Sequence, residues 1–335
     1  MCGAKCAQVL TTTACSKAPR LTISYATRCN PERGDIVIKT IALLGTGIMG
    51  APMTRNLAAA GFTLRVWNRT IAKAELLSDI ATVHPTAADA ITGADAVVTM
   101  LENGAVVTEV LFGALAAANA GTLFIDMSSI EPSVARDHAN ALESHGMRYL
   151  DAPVSGGEKG ATDATLAIMA GGNASDFTDA KPVFAAMGRA THVGIHGAGQ
   201  VAKLANQVIV GITIGAVSEA LLLAQEGGCD PAAVREALMG GFATSKILDL
   251  HGQRMLDRNW VPGGPVAIQL KDLNNALDAA AQFDLKLPLT ELARKAFADL
   301  AADPDMARKD HSAYLRWLEI QNPLRRLGVG EDKLP

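Results

Sequence analysis

From Lys39 to about Gly199, short apolar runs alternate with amphipathic stretches, and after Gly199 the short runs stop. Thr40–Leu44, Leu64–Trp67, Ala96–Leu101, Leu123–Asp126 and Arg148–Ala152 have the length and aliphatic content of buried strands, with helical spacing between them. Thr165–Ala170 and Ala190–Val193 extend the same series. Such alternation predicts an α/β fold of Rossmann type, a doubly wound parallel sheet with helices on both faces. Helical spacing then continues through Glu226, Pro231–Met239, Ile268–Gln282, Leu289–Leu300 and Ser312–Ile320, so an all-helical C-terminal domain is expected. The boundaries read as 39–198 for the dinucleotide-binding domain and 199–325 for the helical one, joined by a long helix starting near Gly199.

Composition narrows the partners. The chain has 335 residues, 49% of them hydrophobic but only 4% aromatic, as expected of an aliphatic interior packed on a parallel sheet. A net charge of -4 without a long basic stripe argues against nucleic acid. Val208–Ala224, the most apolar run, is interrupted by Thr213, Ser218 and Glu219, so no membrane span is expected. Four of the five cysteines fall at Cys2, Cys6, Cys15 and Cys29, which leaves the body without a disulfide framework and points to the cytoplasm. Residues 1–38 carry Lys5, Lys17, Arg20, Arg28 and Arg33 and lack periodicity; they read as a disordered extension, although a transit peptide has a similar composition. The histidines show no paired-ligand spacing, so no metal is expected.

Gly45-Thr46-Gly47-Ile48-Met49-Gly50 closes the first strand and opens the helix after it, the context that a dinucleotide fingerprint requires. Its glycines permit a tight turn and close backbone approach, and a pyrophosphate would meet free N–H groups at the positive end of the helix. At the end of the second strand, where an NAD-specific site usually carries Asp or Glu, the chain has Asn68-Arg69-Thr70. A guanidinium and a hydroxyl can hold a 2′-phosphate that no carboxylate repels, so NADP(H) is preferred and NAD(H) remains possible.

Four separated segments resemble the β-hydroxyacid dehydrogenase family, whose members include the 3-hydroxyisobutyrate dehydrogenases: Gly45–Met53 with Asn56, Leu57 and Gly61; Asp151–Gly157; Gly197–Gln207; and Lys271–Leu277. The residues of the second and third segments also have physical reasons of their own. In Val154-Ser155-Gly156-Gly157, two glycines allow N–H groups to converge on a small anion and Ser155 adds a hydroxyl, forming a cradle for a carboxylate. Lys203 shares a helix face with Asn206 and Gln207, so one face presents an acid and an amide, with Asn206 preferred as the substrate contact and Gln207 second. The flanking Val201, Ala202, Leu204 and Ala205 imply a largely buried helix.

The resemblance further implies cofactor-side contacts from Leu101, Asn103 and Ser129, and an approach by Lys271 from the helical domain. It implies reduction of a small semialdehyde or keto acid to a hydroxy acid, with Lys203 as the proton donor. Lys203–Val210, Ser218–Leu223 and Asp310–Ala313 are similar to members that convert tartronate semialdehyde to D-glycerate; 3-hydroxyisobutyrate, succinic semialdehyde and glyoxylate are alternative chemistries. Helices as rich in Ala, Ile and Leu as Val208–Ala224 are expected to bury a face in a homodimer or homotetramer.

Overall fold

The computed structural model describes residues 37–334. The expected disordered extension thus lies outside the described residues except at its last two positions, of which Ile38 is already buried. From there β1 (Thr40–Leu44), α1 (Gly50–Ala59), β2 (Thr63–Trp67), α2 (Ile71–Glu75), β3 (Thr82–Val83), α3 (Ala87–Ile91), β4 (Ala96–Thr99), α4 (Gly104–Ala114), β5 (Leu123–Asp126), α5 (Pro132–Ser144) and β6 (Arg148–Asp151) alternate strand with helix. β7 (Val154–Ser155), α6 (Gly157–Thr162), β8 (Leu166–Gly172), α7 (Ala174–Ala185) and β9 (Gly188–Gly194) complete the sheet. Every residue of β4 and β5 is buried, as is β1 beyond its first position, because helices cover both faces. The two faces form separate aliphatic cores, one around Leu43, Leu57 and Ile125, the other around Leu44, Leu111 and Phe124.

The strand order is β3-β2-β1-β4-β5-β6-β8-β7, with β9 on β8. β1 through β6 pair in parallel as expected. Beyond them β8 runs antiparallel to β6 and β7, while β9 is parallel to β8. β3 and β7 are two-residue strands, too short to leave a period in the sequence. β4 ends at Thr99 rather than Leu101, because the Leu101 N–H donates to Ser128 Oγ at 2.9 Å instead of to a strand. The strand order reverses at β1, with β2 on one side and β4 on the other, which opens a crevice beyond their C-terminal ends.

After β9 come α8 (Ala198–Glu226), α9 (Pro231–Met239), α10 (Lys246–Leu256), α11 (Val266–Ala281), α12 (Pro288–Ala301), α13 (Pro304–Arg308), a 3₁₀ turn at His311–Ala313 and α14 (Tyr314–Gln321). α10 is not among the helices expected from the sequence; Ser245 starts it by accepting from Leu248 N–H at 2.9 Å. By length and composition α8 is apolar enough to cross a membrane, with a mean hydropathy of 1.9, so the expectation that no stretch qualifies is corrected. In this fold, Ile214, Val217, Leu221 and Leu222 of α8 instead pack with Leu273, Phe297 and Tyr314 in a third core.

The start of α8 is pressed against the sheet. A Cβ on Gly199 would lie 2.3 Å from Met169 O and 2.4 Å from Asp151 O, which only glycine avoids. Asp151 at the end of β6 accepts from Gly197 N–H at 2.7 Å and Gln200 N–H at 2.9 Å, which anchors the helix bearing Lys203 to the sheet. Burial pushes the Asp151 carboxyl up to about 7 despite those donors.

Candidate active site

At the crevice, the turn after β1 depends on glycine at two places. A Cβ on Gly50 would fall 1.8 Å from Gly45 O, and one on Gly45, whose φ is +106°, would fall 2.3 Å from Met100 O. Gly47 differs: nothing lies within 4 Å of its added Cβ, so its face is open. Ile48 is 69% exposed, whereas Met49 packs into the core. No side chain caps α1, which leaves its first N–H groups available to an anion. Thr46 Oγ1 is buried without a hydrogen-bond partner among the described residues. The open face at Gly47, the uncapped helix and the orphaned hydroxyl all fit the pyrophosphate of a dinucleotide.

Asn68 Oδ1 accepts from Thr46 N–H at 3.1 Å and its Nδ2 donates to Thr70 O at 2.9 Å, tying the turn after β2 to the turn after β1. Arg69 and Thr70 are exposed, and Arg69 makes no hydrogen bond or ion pair among the described residues. Asn103 caps α4 by accepting from Val106 N–H at 3.0 Å.

The second half of the site comes together on α8 and α11. Lys203 Nζ donates to Gln207 Oε1 at 3.1 Å, and Asn206 Nδ2 donates to the same oxygen at 2.8 Å. Gln207 Nε2 in turn donates to Asp272 Oδ2 at 2.7 Å and to Gln269 Oε1 at 3.2 Å. Ser129 Oγ donates to the other Asp272 oxygen at 3.0 Å, and Lys271 Nζ donates to Ser129 O at 2.8 Å. Ser129, Lys203, Asn206, Gln207 and Lys271 therefore form one network centred on Asp272. It is Gln207, placed second in the sequence reading, that touches the ammonium.

Burial lowers the Lys203 pKa from the ordinary lysine value, Asp272 opposes this, and the Lys271 cation adds to it. The inference that flanking apolar residues bury this stretch is corrected, because Val201 and Ala205 face outward. Leu204 and Gln207 lie on the buried side, so it is packing against α11 that covers the ammonium.

Gly156 and Gly157 have φ of +143° and +60°, a sharp change of direction that joins β7 to α6. Ser155 is half-buried and its hydroxyl makes no hydrogen bond among the described residues. A Cβ on Gly157 would come only within 3.8 Å of Gly263 O, so this loop faces the segment before α11.

The sequence reading overlooked two groups. Gln269, Asp272 and Asn275 recur every third residue on the buried face of α11, a polar stripe that was detectable in the sequence. His251, Asp310 and His311 also meet, with ligand atoms all within 4.8 Å of one another. No local spacing announces that cluster.

Residues 40–197 match the NAD binding domain of 6-phosphogluconate dehydrogenase, and residues 197–318 match the family described as NAD-binding of NADP-dependent 3-hydroxyisobutyrate dehydrogenase. The chain is 44% identical over 284 residues to 2-hydroxy-3-oxopropionate reductase of Escherichia coli (strain K12), an alignment covering 84% of this chain and 97% of that protein. It is 38% identical over 270 residues to 3-hydroxyisobutyrate dehydrogenase of Pseudomonas aeruginosa, covering 77% of this chain and 91% of that one. The solved structure of Mycobacterium tuberculosis 3-hydroxyisobutyrate dehydrogenase with L-serine superposes with a TM-score of 0.77 at 36% identity, covering 84% of this chain and 99% of that one. Nucleotide turn, amide-held lysine and both family matches converge: the chain belongs to the β-hydroxyacid dehydrogenases, the 3-hydroxyisobutyrate dehydrogenase-like family of NAD(P)-dependent oxidoreductases.

Proposed function

We propose that the chain reduces 2-hydroxy-3-oxopropionate (tartronate semialdehyde) to D-glycerate, with NADPH preferred over NADH. The observation that carries the chemistry is a partly buried ammonium held on a fixed amide, Lys203 on Gln207, itself anchored to Asp272. A reduced nicotinamide, when bound, supplies the hydride. Lys203 Nζ then releases its proton to the oxygen that was the carbonyl; in oxidation it takes the proton back. Its lowered pKa eases that release, while Asp272 keeps enough charge nearby for the protonated form to persist. Ser155, with the N–H groups around Gly156 and Gly157, holds the substrate carboxylate.

Arg69 and Thr70 hold the 2′-phosphate, for which Arg69 is otherwise unengaged, while Gly45, Gly47, Ile48, Met49 and Gly50 shape the pyrophosphate turn. Leu101, Asn103, Ser129 and Lys271 border the nicotinamide end. The substrate assignment is supported by the 44% identity to a 2-hydroxy-3-oxopropionate reductase across nearly all of that protein. The domains divide at 198/199, and a homodimer or homotetramer covers outward apolar residues such as Ile209, Leu223, Leu289 and Leu292. A cytoplasmic setting accords with Cys229, a free exposed thiol.

The test is a panel of initial rates with 2-hydroxy-3-oxopropionate, 2-methyl-3-oxopropionate, succinic semialdehyde and glyoxylate, each with NADPH and NADH. The highest kcat/KM is expected for 2-hydroxy-3-oxopropionate with NADPH. A higher value for any other acid replaces the substrate assignment, and equal use of NADH removes the role given to Arg69.

A further inference from the structure

Around Asp310 the chain builds a rigid polar corner that the reduction described above does not use. Asp310 is fully buried, and its two oxygens accept from Gly263 N–H at 2.9 Å, Gly264 N–H at 3.1 Å, Ser312 N–H at 3.0 Å and Ser312 Oγ at 2.6 Å. Those donors leave the carboxylate little capacity for a metal. His251 Nδ1 faces Asp310 Oδ1 at 3.5 Å, and His251 Nε2 lies 3.2 Å from His311 Nε2, with the rings edge to face. His311 Nδ1 makes no hydrogen bond among the described residues.

One arrangement of the ring protons suits the order of these atoms. A proton on His251 Nδ1, toward the carboxylate, leaves the His251 Nε2 lone pair free to accept from His311 Nε2–H. His311 Nδ1 is then a bare acceptor. Asp310 ahead of the 3₁₀ turn, His251 on α10 and His311 on the turn then form a relay whose free end accepts a hydrogen bond.

The His311 ring lies near the loop proposed above to hold the substrate carboxylate. The carboxylate loop and the Asp310 corner meet through Gly263-Gly264: among the described residues Gly263 O alone lies within 4 Å of a Cβ on Gly157, and a Cβ on Gly264 would lie 3.2 Å from the His311 ring. His311 N–H also donates to Gly264 O at 2.8 Å. Burial lowers the His311 pKa to about 4, with Asp310 opposing and the Arg254 and Lys203 cations adding to it. The imidazole is thus neutral near pH 7, and it feels the charge of the proton donor.

We propose that His311, positioned by His251 and Asp310, selects for substrate by accepting a hydrogen bond from a hydroxyl on the carbon next to the carboxylate. This rests on the reduction of a small semialdehyde acid proposed above and deepens it. A hydroxyl satisfies the acceptor, whereas hydrogen, methyl or an ether oxygen at that carbon leaves it unpaired and desolvated.

The experiment uses the oxidation direction, where the substrates are stable: D-glycerate, 2-O-methylglycerate, 3-hydroxyisobutyrate and 3-hydroxypropionate with NADP+, for wild type, His311→Leu, His311→Asn and His251→Leu. In wild type, 2-O-methylglycerate, which keeps the oxygen but not its proton, should fall below glycerate about as far as the methyl compound does. His311→Leu should lower the glycerate to 3-hydroxypropionate ratio of kcat/KM by about ten- to a hundredfold. His311→Asn, which keeps an acceptor, should restore part of it. His251→Leu should erode the same ratio without raising KM for the cofactor. A wild type that prefers glycerate but turns over 2-O-methylglycerate equally well, or one whose ratio is unmoved in a folded His311→Leu, overturns this inference alone. A wild type that prefers 3-hydroxyisobutyrate or 3-hydroxypropionate overturns the substrate reading beneath it as well.

Discussion

At the dinucleotide end, one unbroken segment from Gly45 to Gly50 carries the geometry in its own backbone, held by Trp67 O and Asn68 Oδ1 at the end of β2. At the proton-donor end, the equivalent work takes Ser129 after β5, Lys203 and Gln207 on α8, and Lys271 and Asp272 on α11. The first is a local structure that shapes an anion site wherever a strand feeds a helix. The second exists only when separate elements dock. Substitutions at the first should act through turn geometry and cofactor binding, and those at the second through the proton.

The sharpest break in that contrast is Lys203→Ala. Loss of a positioned general acid should lower kcat by about a hundred- to ten-thousandfold while NADPH affinity and the circular dichroism spectrum stay as in wild type. Lys203→Arg should not recover it, because a guanidinium does not release its proton in this range. Retention of more than about a tenth of kcat with chemistry rate-limiting would move the donor elsewhere.

Next in size are two glycines three residues apart. Gly50→Ala sets a Cβ against the Gly45 carbonyl, a backbone clash, and should destabilise by about 1–3 kcal/mol or more while weakening NADPH binding. Gly47→Ala meets nothing in the folded chain, so its melting temperature should stay near wild type and only the cofactor Kd should rise. Equal thermal loss in both would mean that the open face at Gly47 is not where the cofactor lies.

Arg69→Ala should reduce the preference for NADPH over NADH by about ten- to a hundredfold, read as the ratio of the two kcat/KM values, with little change in kcat or folding. An unchanged ratio would leave the 2′-phosphate without this partner.

The smallest effects are on pH. With Lys203 as the proposed proton donor, kcat for reduction should fall on the alkaline side as pH passes through the Lys203 pKa, below the usual lysine range. Lys271→Met removes a cation that disfavours the charged form and should move that limb to higher pH. Asp272→Asn removes the opposing carboxylate and should move it to lower pH. Shifts of the same sign in both would detach the limb from Lys203.

Much of the molecule was legible because period and turn chemistry are properties of neighbours in the chain. The edges of β1, β5 and α9 follow from apolar runs and caps, and the dinucleotide turn is legible because its glycines, strand and helix are contiguous. The shared helix face of Lys203 and Gln207 follows from helical spacing alone. Tertiary structure decided what spacing cannot encode. β8 turned antiparallel by pairing with β6 and β7, a choice made by partners rather than by its own residues. Gln207 took the lysine while Asn206 stood beside it, because only Gln207 faces α11, where Asp272 and Gln269 fix its amide. His251 and His311, sixty positions apart, meet because the Asp310 carboxylate draws the Gly263-Gly264 backbone and the 3₁₀ turn together. Short-range order is a matter of dihedral preference and side-chain period; the environment of a buried charge depends on what packs over it, and that is settled only when the whole chain is folded.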